Sequence, residues 1–210
     1  MTAGQQRAMR ELWPVYGLAD VAGILDLNAI FGREADVILE IGFGNGDNLV
    51  DMATAAPEKN FLGIEVHPPG VGHCLLRIEQ SGAKNVRLIR DDAVEILARH
   101  IADSSLSRAN LFFPDPWHKK RHHKRRIVQR SFIELLARKL KVGGLFHVAT
   151  DWPDYAEHIE ELMKAAPGFE LQSGFPADRS TTRFDSRGAR LGHENWEAAW
   201  CNCSKLPISS

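Results

Sequence analysis

Short, unbroken apolar runs alternate along this chain with stretches whose apolar residues recur every three or four positions. The first rhythm marks strands covered on both faces; the second marks helices with one covered stripe. The strand-like runs are "VILEI" (37–41), "NFLGIEVH" (60–67), "NVRLIRDD" (85–92), "ANLFFPDP" (109–116) and "GLFHVATD" (144–151). Helical stretches follow them at residues 48–55, 68–80, 93–100, 127–140 and 155–165. Pro68 and Pro69 open one of these, and Gly143 and Gly144 stop another. Two further helices are predicted ahead of the first strand, over 3–13 with Pro14 ending it and over 18–31 with Gly32 ending it. From Phe169 the pattern gives a strand, a long polar loop and a closing strand, "EAAWCNCS". Strands alternating with helices specify an α/β fold, a doubly wound, mostly parallel seven-stranded sheet of Rossmann-like type. The expected organisation is one domain, with helices over 1–33 and the sheet with its flanking helices over 34–210.

Such sheets bind ligands beyond the C-terminal ends of their strands. An acid stands at each of those ends: Glu40, Glu65, Asp92, Asp115 and Asp151. Any one of them could instead cap a helix, and that alternative is strongest for Asp92 and Asp151. Gly42, Gly44 and Gly46 in "EIGFGNG" make a tight turn that brings backbone close to a ligand. A dinucleotide fingerprint would need glycine at 47, where Asp47 stands, and Glu40 would oppose a pyrophosphate by charge. The pair suits S-adenosyl-L-methionine, whose methionine end carries cationic groups. Glu65 is placed to accept hydrogen bonds from both ribose hydroxyls and Asp92 to contact the adenine amino group.

Composition alone excludes little. Lys plus Arg number 26 against 27 Asp plus Glu, a formal net charge of −1. The distribution is more informative, because seven Lys or Arg and no acid lie between His118 and Arg130. A local patch of that kind suits phosphates, although charge runs also occur as solvated helix faces. His118, His122 and His123 lie among cations that would repel a metal ion, so no metal is expected. Cys74, Cys201 and Cys203 are odd in number and lack a zinc spacing, which points to reduced thiols in a cytoplasmic protein. No stretch has the length and apolarity of a membrane span or signal core, so no membrane is expected as a partner.

"FFPDPWHKKRHHKRR" (112–126) places Asp115 between two prolines at the head of the basic run, followed by Trp117, an aromatic suited either to stacking on an extruded base or to packing. Together with "GQQRAMRELWPVYGL", "ILEIGFGNG", "FLGIEVH", "DDAVEIL", "VATDWPDYAEHI" and "TTRFDSRGARLGHENWEAAW", this segment resembles the bacterial tRNA (guanine-46-N7-)-methyltransferase family over nearly the whole chain. The resemblance implies the S-adenosyl-L-methionine-dependent methyltransferase fold and methyl transfer to N7 of guanine 46 in the variable loop of tRNA. It puts cofactor contacts at Glu40, Glu65, Asp92 and Asp115, beside Gly42 of the glycine turn, with Asp115 also the catalytic residue. It puts tRNA contacts at Lys119, at Arg121, His122, His123, Lys124, Arg125 and Arg126, at Asp151, and at the tetrad Thr182, Arg183, Phe184 and Asp185. Many members have Glu where Asp185 stands, and many carry a basic segment before "GQQRAM", where this chain has three residues. No obligate protein partner is implied, and monomer and homodimer stay open.

Two other classes remain compatible with the residues. A methyltransferase acting on an exocyclic amine of a nucleic acid would favour Asn/Asp-Pro-Pro-aromatic at the fourth strand end, whereas Asp115-Pro116-Trp117 lacks the second proline. A tRNA-binding protein without activity would have no use for Glu40, Gly42, Glu65 and Asp115 together.

Overall fold

The computed structural model describes residues 1–174 and 195–203. Its contacts divide the described residues into two compact units, Met1–Ala102 and those from Asp103 onward.

In the first unit three parallel strands, β1 (Val37–Ile41), β2 (Asn60–Ile64) and β3 (Val86–Ile89), lie in the order β3-β2-β1. Register pairs Val37 with Asn60 and Phe61 with Val86. Every residue of β1 and β2 is buried, as continuous apolar runs require when both faces are covered. Helices α4 (Asp47–Ala55), α5 (Pro68–Ser81) and α6 (Ala93–His100) connect or follow the strands. Leu49, Val50, Val71, Leu75 and Ile78 pack with Ile38, Phe61 and Val86 in one core. Helix α1 (Ala3–Glu11) joins that core through Ala8 and is held to α5 by Arg7, whose guanidinium donates to both oxygens of Glu79.

In the second unit β4 (Leu106–Phe112) and β5 (Leu140–Thr150) are parallel, while β7 (Trp196–Asn202) runs antiparallel to both β5 and β6 (Phe169–Leu171). Helices α7 (Arg130–Lys139) and α8 (Pro153–Lys164) complete it. Phe146 of β5 stacks on Trp200 and meets Phe132 of α7 edge-on. A polar ladder crosses three adjacent strands of this unit, β4, β5 and β7: Arg108 donates to Asn110 Oδ1 at 2.7 Å and contacts His147 Nδ1 at 2.5 Å, and His147 Nε2 contacts Glu197 at 2.5 Å. Because a guanidinium only donates, Nδ1 accepts and Nε2 carries the proton toward Glu197. Among the described residues, seven strands, mostly parallel, with helices between them, form the expected doubly wound α/β fold.

Three boundaries differ from the sequence reading, each for a local reason. Pro14 does not end a helix. It sits in the first turn of α2 (Trp13–Tyr16), where a missing N–H costs nothing. The helix expected over 18–31 is only α3 (Leu27–Phe31), because Asp26 caps its start by accepting from Ala29 N, and Asp20 and Gly23 take positive φ. Ahead of it, Gly17 bridges Leu88 beside β3. Gly143 and Gly144 do not stop α7, which gives way directly to β5 at Leu140; they form an irregularity within that strand. Opposite them, pairing jumps from Leu106–Leu140 to Arg108–Leu145.

That irregularity has no room for a side chain. A Cβ on Gly144 would lie 2.9 Å from Lys141 O and 3.2 Å from Leu106 O, whereas one on Gly143 would meet open space but at φ +83°. Gly144→Ala is expected to lower unfolding free energy by about 2 kcal/mol, and Gly143→Ala by about 1 kcal/mol, measured by urea titration.

Candidate functional site

Two constellations of the predicted residues form, one in each unit. In the first, β1 delivers Glu40 one residue before its end, so that the carboxylate is 3% exposed and receives Asn48 Nδ2 at 2.6 Å. Asn48 lies in the first turn of α4, immediately after the glycine turn. Sequence reasoning passed over it; an Asn following a Gly-rich turn, eight residues from a buried acid, was the available signal.

The turn itself depends on glycine for two separate reasons. Gly42, Gly44 and Gly46 have φ of +66°, +57° and +77°, the left-handed region that penalises a Cβ. Gly42 and Gly44 face open space, while a Cβ on Gly46 would stand 2.3 Å from Cys74 Sγ. Burial, with Glu40 nearby, pushes the Cys74 thiol well above its usual range, so it stays neutral and packs. Across the turn, Glu65 closes the cradle. Its Oε2 accepts from Gly44 N at 2.8 Å, and its Oε1 from Val66 N at 2.7 Å and His67 N at 2.9 Å. A carboxylate has about four acceptor positions, and three are occupied. Room for ribose hydroxyls is therefore narrower than the expectation of two, unless one amide yields its place. Asp92 meets its alternative reading directly: Oδ1 caps α6 through Val94 N at 2.8 Å and Glu95 N at 3.1 Å. Its side chain is exposed, and Oδ2 faces no donor among the described residues.

These features fit S-adenosyl-L-methionine. Open space lies over Gly42 and Gly44, the buried Glu40 carboxyl stands just before the turn, and two further acids stand at the neighbouring strand ends.

In the second unit the loop after β4 carries Asp115. Phe113 and Trp117, neither of them glycine, take φ of +50° and +49° on either side of Pro114-Asp115-Pro116. Each such residue costs about 1–3 kcal/mol, and strain of this kind collects at functional sites. Asp115 Oδ1 accepts from Trp117 N at 3.1 Å, an Asx-type turn, and the exposed carboxylate presents its other oxygen to solvent. Arg125 lies over the Trp117 ring, 5.0 Å from its centre, and His122 meets the same ring edge-on at 6.0 Å. One approach to Trp117 is thus already taken by protein.

The basic run then winds as a 3-10 helix, Lys120–Arg125, that no periodicity announced. Lys119, Lys120, Arg121, Lys124 and Arg125 are exposed, and His122 and His123 are half-buried. Arg126 stands apart, with its side chain 1% exposed and paired with the Asp154 carboxylate. That placement runs against the expected tRNA contact at Arg126, because its donors are already turned inward. Asp151 is half-buried at the end of β5, beside Trp152, whose ring meets His118 at 4.3 Å. The tetrad Thr182, Arg183, Phe184 and Asp185 lies outside the described residues.

Glu65→Gln tests the cradle. It puts an amide donor where three backbone N–H groups converge, so binding of S-adenosyl-L-methionine is expected to weaken at least about tenfold, or about 1.4 kcal/mol. Titration calorimetry checks this, with thermal unfolding showing whether the turn loosens as well.

A family model described as "Putative methyltransferase" matches residues 34–198. A tRNA (guanine-N(7)-)-methyltransferase of Shewanella amazonensis is 55% identical, the match covering 94% of this chain and 85% of that protein. One from Pseudoalteromonas translucida is also 55% identical, over 94% of this chain and 84% of its own length. Among solved structures, the 16S rRNA methyltransferase KamB matches with a TM-score of 0.62 at 15% identity, over 89% of this chain and 98% of its own. The aminoglycoside resistance methyltransferase NpmB1 matches at 0.60 and 14%, with the same coverage, and both likenesses concern the fold. At 55% identity over nearly its full length, the chain belongs to the bacterial tRNA (guanine-N7-)-methyltransferase family.

Proposed function

We propose that this protein methylates N7 of guanine 46, in the variable loop of tRNA, using S-adenosyl-L-methionine. The observation that carries the reading is the Asp115 loop: a strained, proline-braced carboxylate at the head of an exposed cationic surface, in a chain 55% identical to tRNA (guanine-N(7)-)-methyltransferases. The choice of position 46 rests on the resemblance carried by "PDPWHKKRHHKRR". The place of action is the cytoplasm.

Glu40, held by Asn48, and the turn at Gly42 would hold the methionine end of the cofactor, with Glu65 on the ribose and Asp92 toward the adenine. When bound, the cofactor supplies an electrophilic methyl on a sulfonium. Guanine N7 carries a lone pair and no proton, so the chain needs no base to generate the nucleophile. What the residues supply is alignment and electrostatics. Positive charge develops on the purine as N7 is alkylated, and the Asp115 carboxylate stabilises it. Pro114, Pro116 and the Trp117 amide fix that carboxylate before the base arrives. Lys119, Lys120, Arg121, Lys124 and Arg125 neutralise tRNA phosphates, and His122, His123 and Asp151, with Thr182, Arg183, Phe184 and Asp185, complete the tRNA surface. Backbone contacts of this kind position the RNA by shape.

The direct test is methyl transfer from labelled S-adenosyl-L-methionine to an unmodified tRNA transcript, followed by borohydride reduction and aniline cleavage. A cut at the variable-loop guanine is expected; label without a cut would move the reaction to another atom and overturn the assignment. Asp115→Asn should lower the single-turnover rate about 100-fold, while tRNA affinity rises, because an acid that repels phosphates is removed from the cationic surface. Arg121→Ala and Arg125→Ala should each flatten the slope of log Kd against log salt by about 0.7–0.9, leaving cofactor binding unchanged by calorimetry.

A further inference from the structure

We propose that Arg126 is a positioning residue: its buried guanidinium clasps the Asp115 loop to the start of α8 and does not bind tRNA phosphate. The inference rests on the functional reading above and assigns one member of the basic run a different task from its neighbours.

The geometry is specific. Nε donates to Pro116 O at 2.9 Å, the carbonyl directly after Asp115. Nη2 pairs with the Asp154 carboxylate and meets His123 Nε2 at 3.1 Å, and Nη1 reaches Asp154 O at 3.5 Å. The Tyr155 ring lies against the guanidinium, 4.7 Å from its centre to Cζ. Tyr155 is itself buried and receives Val128 N on its hydroxyl at 3.2 Å, so the platform is fixed. Hydrogen bonding from Arg126 holds the Asp154 carboxyl below its ordinary range, which keeps the clasp charged at any working pH.

A phosphate could reach this guanidinium only by displacing those partners. Four positions along, Arg130 is the contrast in the same unit: it pairs with Glu134 through Nε at 2.9 Å, yet its side chain is 87% exposed. The clasp also answers a need of the loop. Phe113 and Trp117 sit in left-handed backbone, which persists only where surroundings over-determine it. Asp115 contributes one bond to that end, from Trp117 N, and the Arg126 bond to Pro116 O supplies a second from outside the loop. A planar fork with donors in several directions is required here, and a lysine ammonium cannot reproduce it.

The test uses the full-length protein carrying Arg126→Ala, Arg126→Lys, Asp154→Ala, or Arg126→Ala with Asp154→Ala. Hydrogen exchange of the Trp117 amide in the ligand-free protein should quicken in every variant. Single-turnover methyl transfer at saturating substrates should fall about 10- to 100-fold, and the double variant should be no slower than the worse single one. The salt slope of tRNA binding should match the unsubstituted protein, in contrast to Arg125→Ala. A slope flattened as in Arg125→Ala, with Trp117 exchange unchanged, would make Arg126 a phosphate ligand and overturn the proposal. Should Arg126→Ala fail to fold, Arg126→Lys decides: it keeps the charge, so a normal rate and normal exchange overturn the clasp. If the unsubstituted protein methylates no tRNA, the functional reading fails, while Trp117 exchange still decides the clasp.

Discussion

The carboxylate of Glu65 is the constraint on which the first unit turns. It receives three backbone amides, one from the glycine turn after β1 and two from its own strand end, and so locks the two strand exits together. The start of α5 packs tightly beside that lock. A Cβ on Gly70, near the start of α5, would lie 2.3 Å from Gly44 O. Gln5 of α1 donates to Pro69 O at 3.1 Å, and a Cβ on Gly72 would press against Gln5 at 2.9 Å. The "GQQRAM" stretch therefore buttresses the first turn of α5, which continues directly from the Glu65 loop. A cofactor that binds by hydrogen bonds to Glu65 would enter a site whose walls are already set by the same side chain, so little ordering cost remains at binding.

The second unit solves the same problem without glycine. Its loop after β4 must hold a carboxylate still in the open, where no strand or helix geometry fixes it. Two prolines restrict φ on either side, two residues accept left-handed backbone, and side-chain bonds from Asp115 and Arg126 compensate. Beneath it the Arg108–His147–Glu197 ladder crosses from β4 through β5 to β7 and fixes their register, since a buried charge network tolerates no slip. The loop thus leaves a rigid strand end. Preorganisation of this sort is what an electrostatic role demands, because a carboxylate that must reorient as charge develops gives back part of its benefit.

The periodicity of the chain was enough for the strands and for the acids at their ends, because parallel strands buried on both faces leave an unmistakable apolar run. It failed where a local bond or a tight contact decides the outcome. Asp26 as a cap, Pro14 as an opener and Gly144 within a strand all follow from contacts that composition does not display. In the candidate site, acid types and spacing singled out Glu40, Glu65 and Asp115, yet the number of acceptor positions left on Glu65 and the bond that Asn48 donates to Glu40 were not legible. The basic run was the hardest to divide: "HKKRHHKRR" gives each cation equal standing, and only the fold shows Arg126 turned inward while Arg125 stays exposed.

That division changes how the electrostatics should be understood. With a net charge of −1, the protein as a whole offers tRNA no attraction, and what grip exists is local. An acid set among the exposed cations works against that grip, since it repels the phosphates its neighbours attract. Affinity alone would favour a neutral residue at 115, and stability alone would favour glycine at 113 and 117. The chain has neither. Both penalties fall on the same five residues, and both are offset by bonds whose common effect is to keep one carboxylate in place. Under the proposed function, a feature costly to binding and to stability at once is explained by the reaction, because an exposed, fixed anion in this patch would meet the charge forming on an alkylated purine.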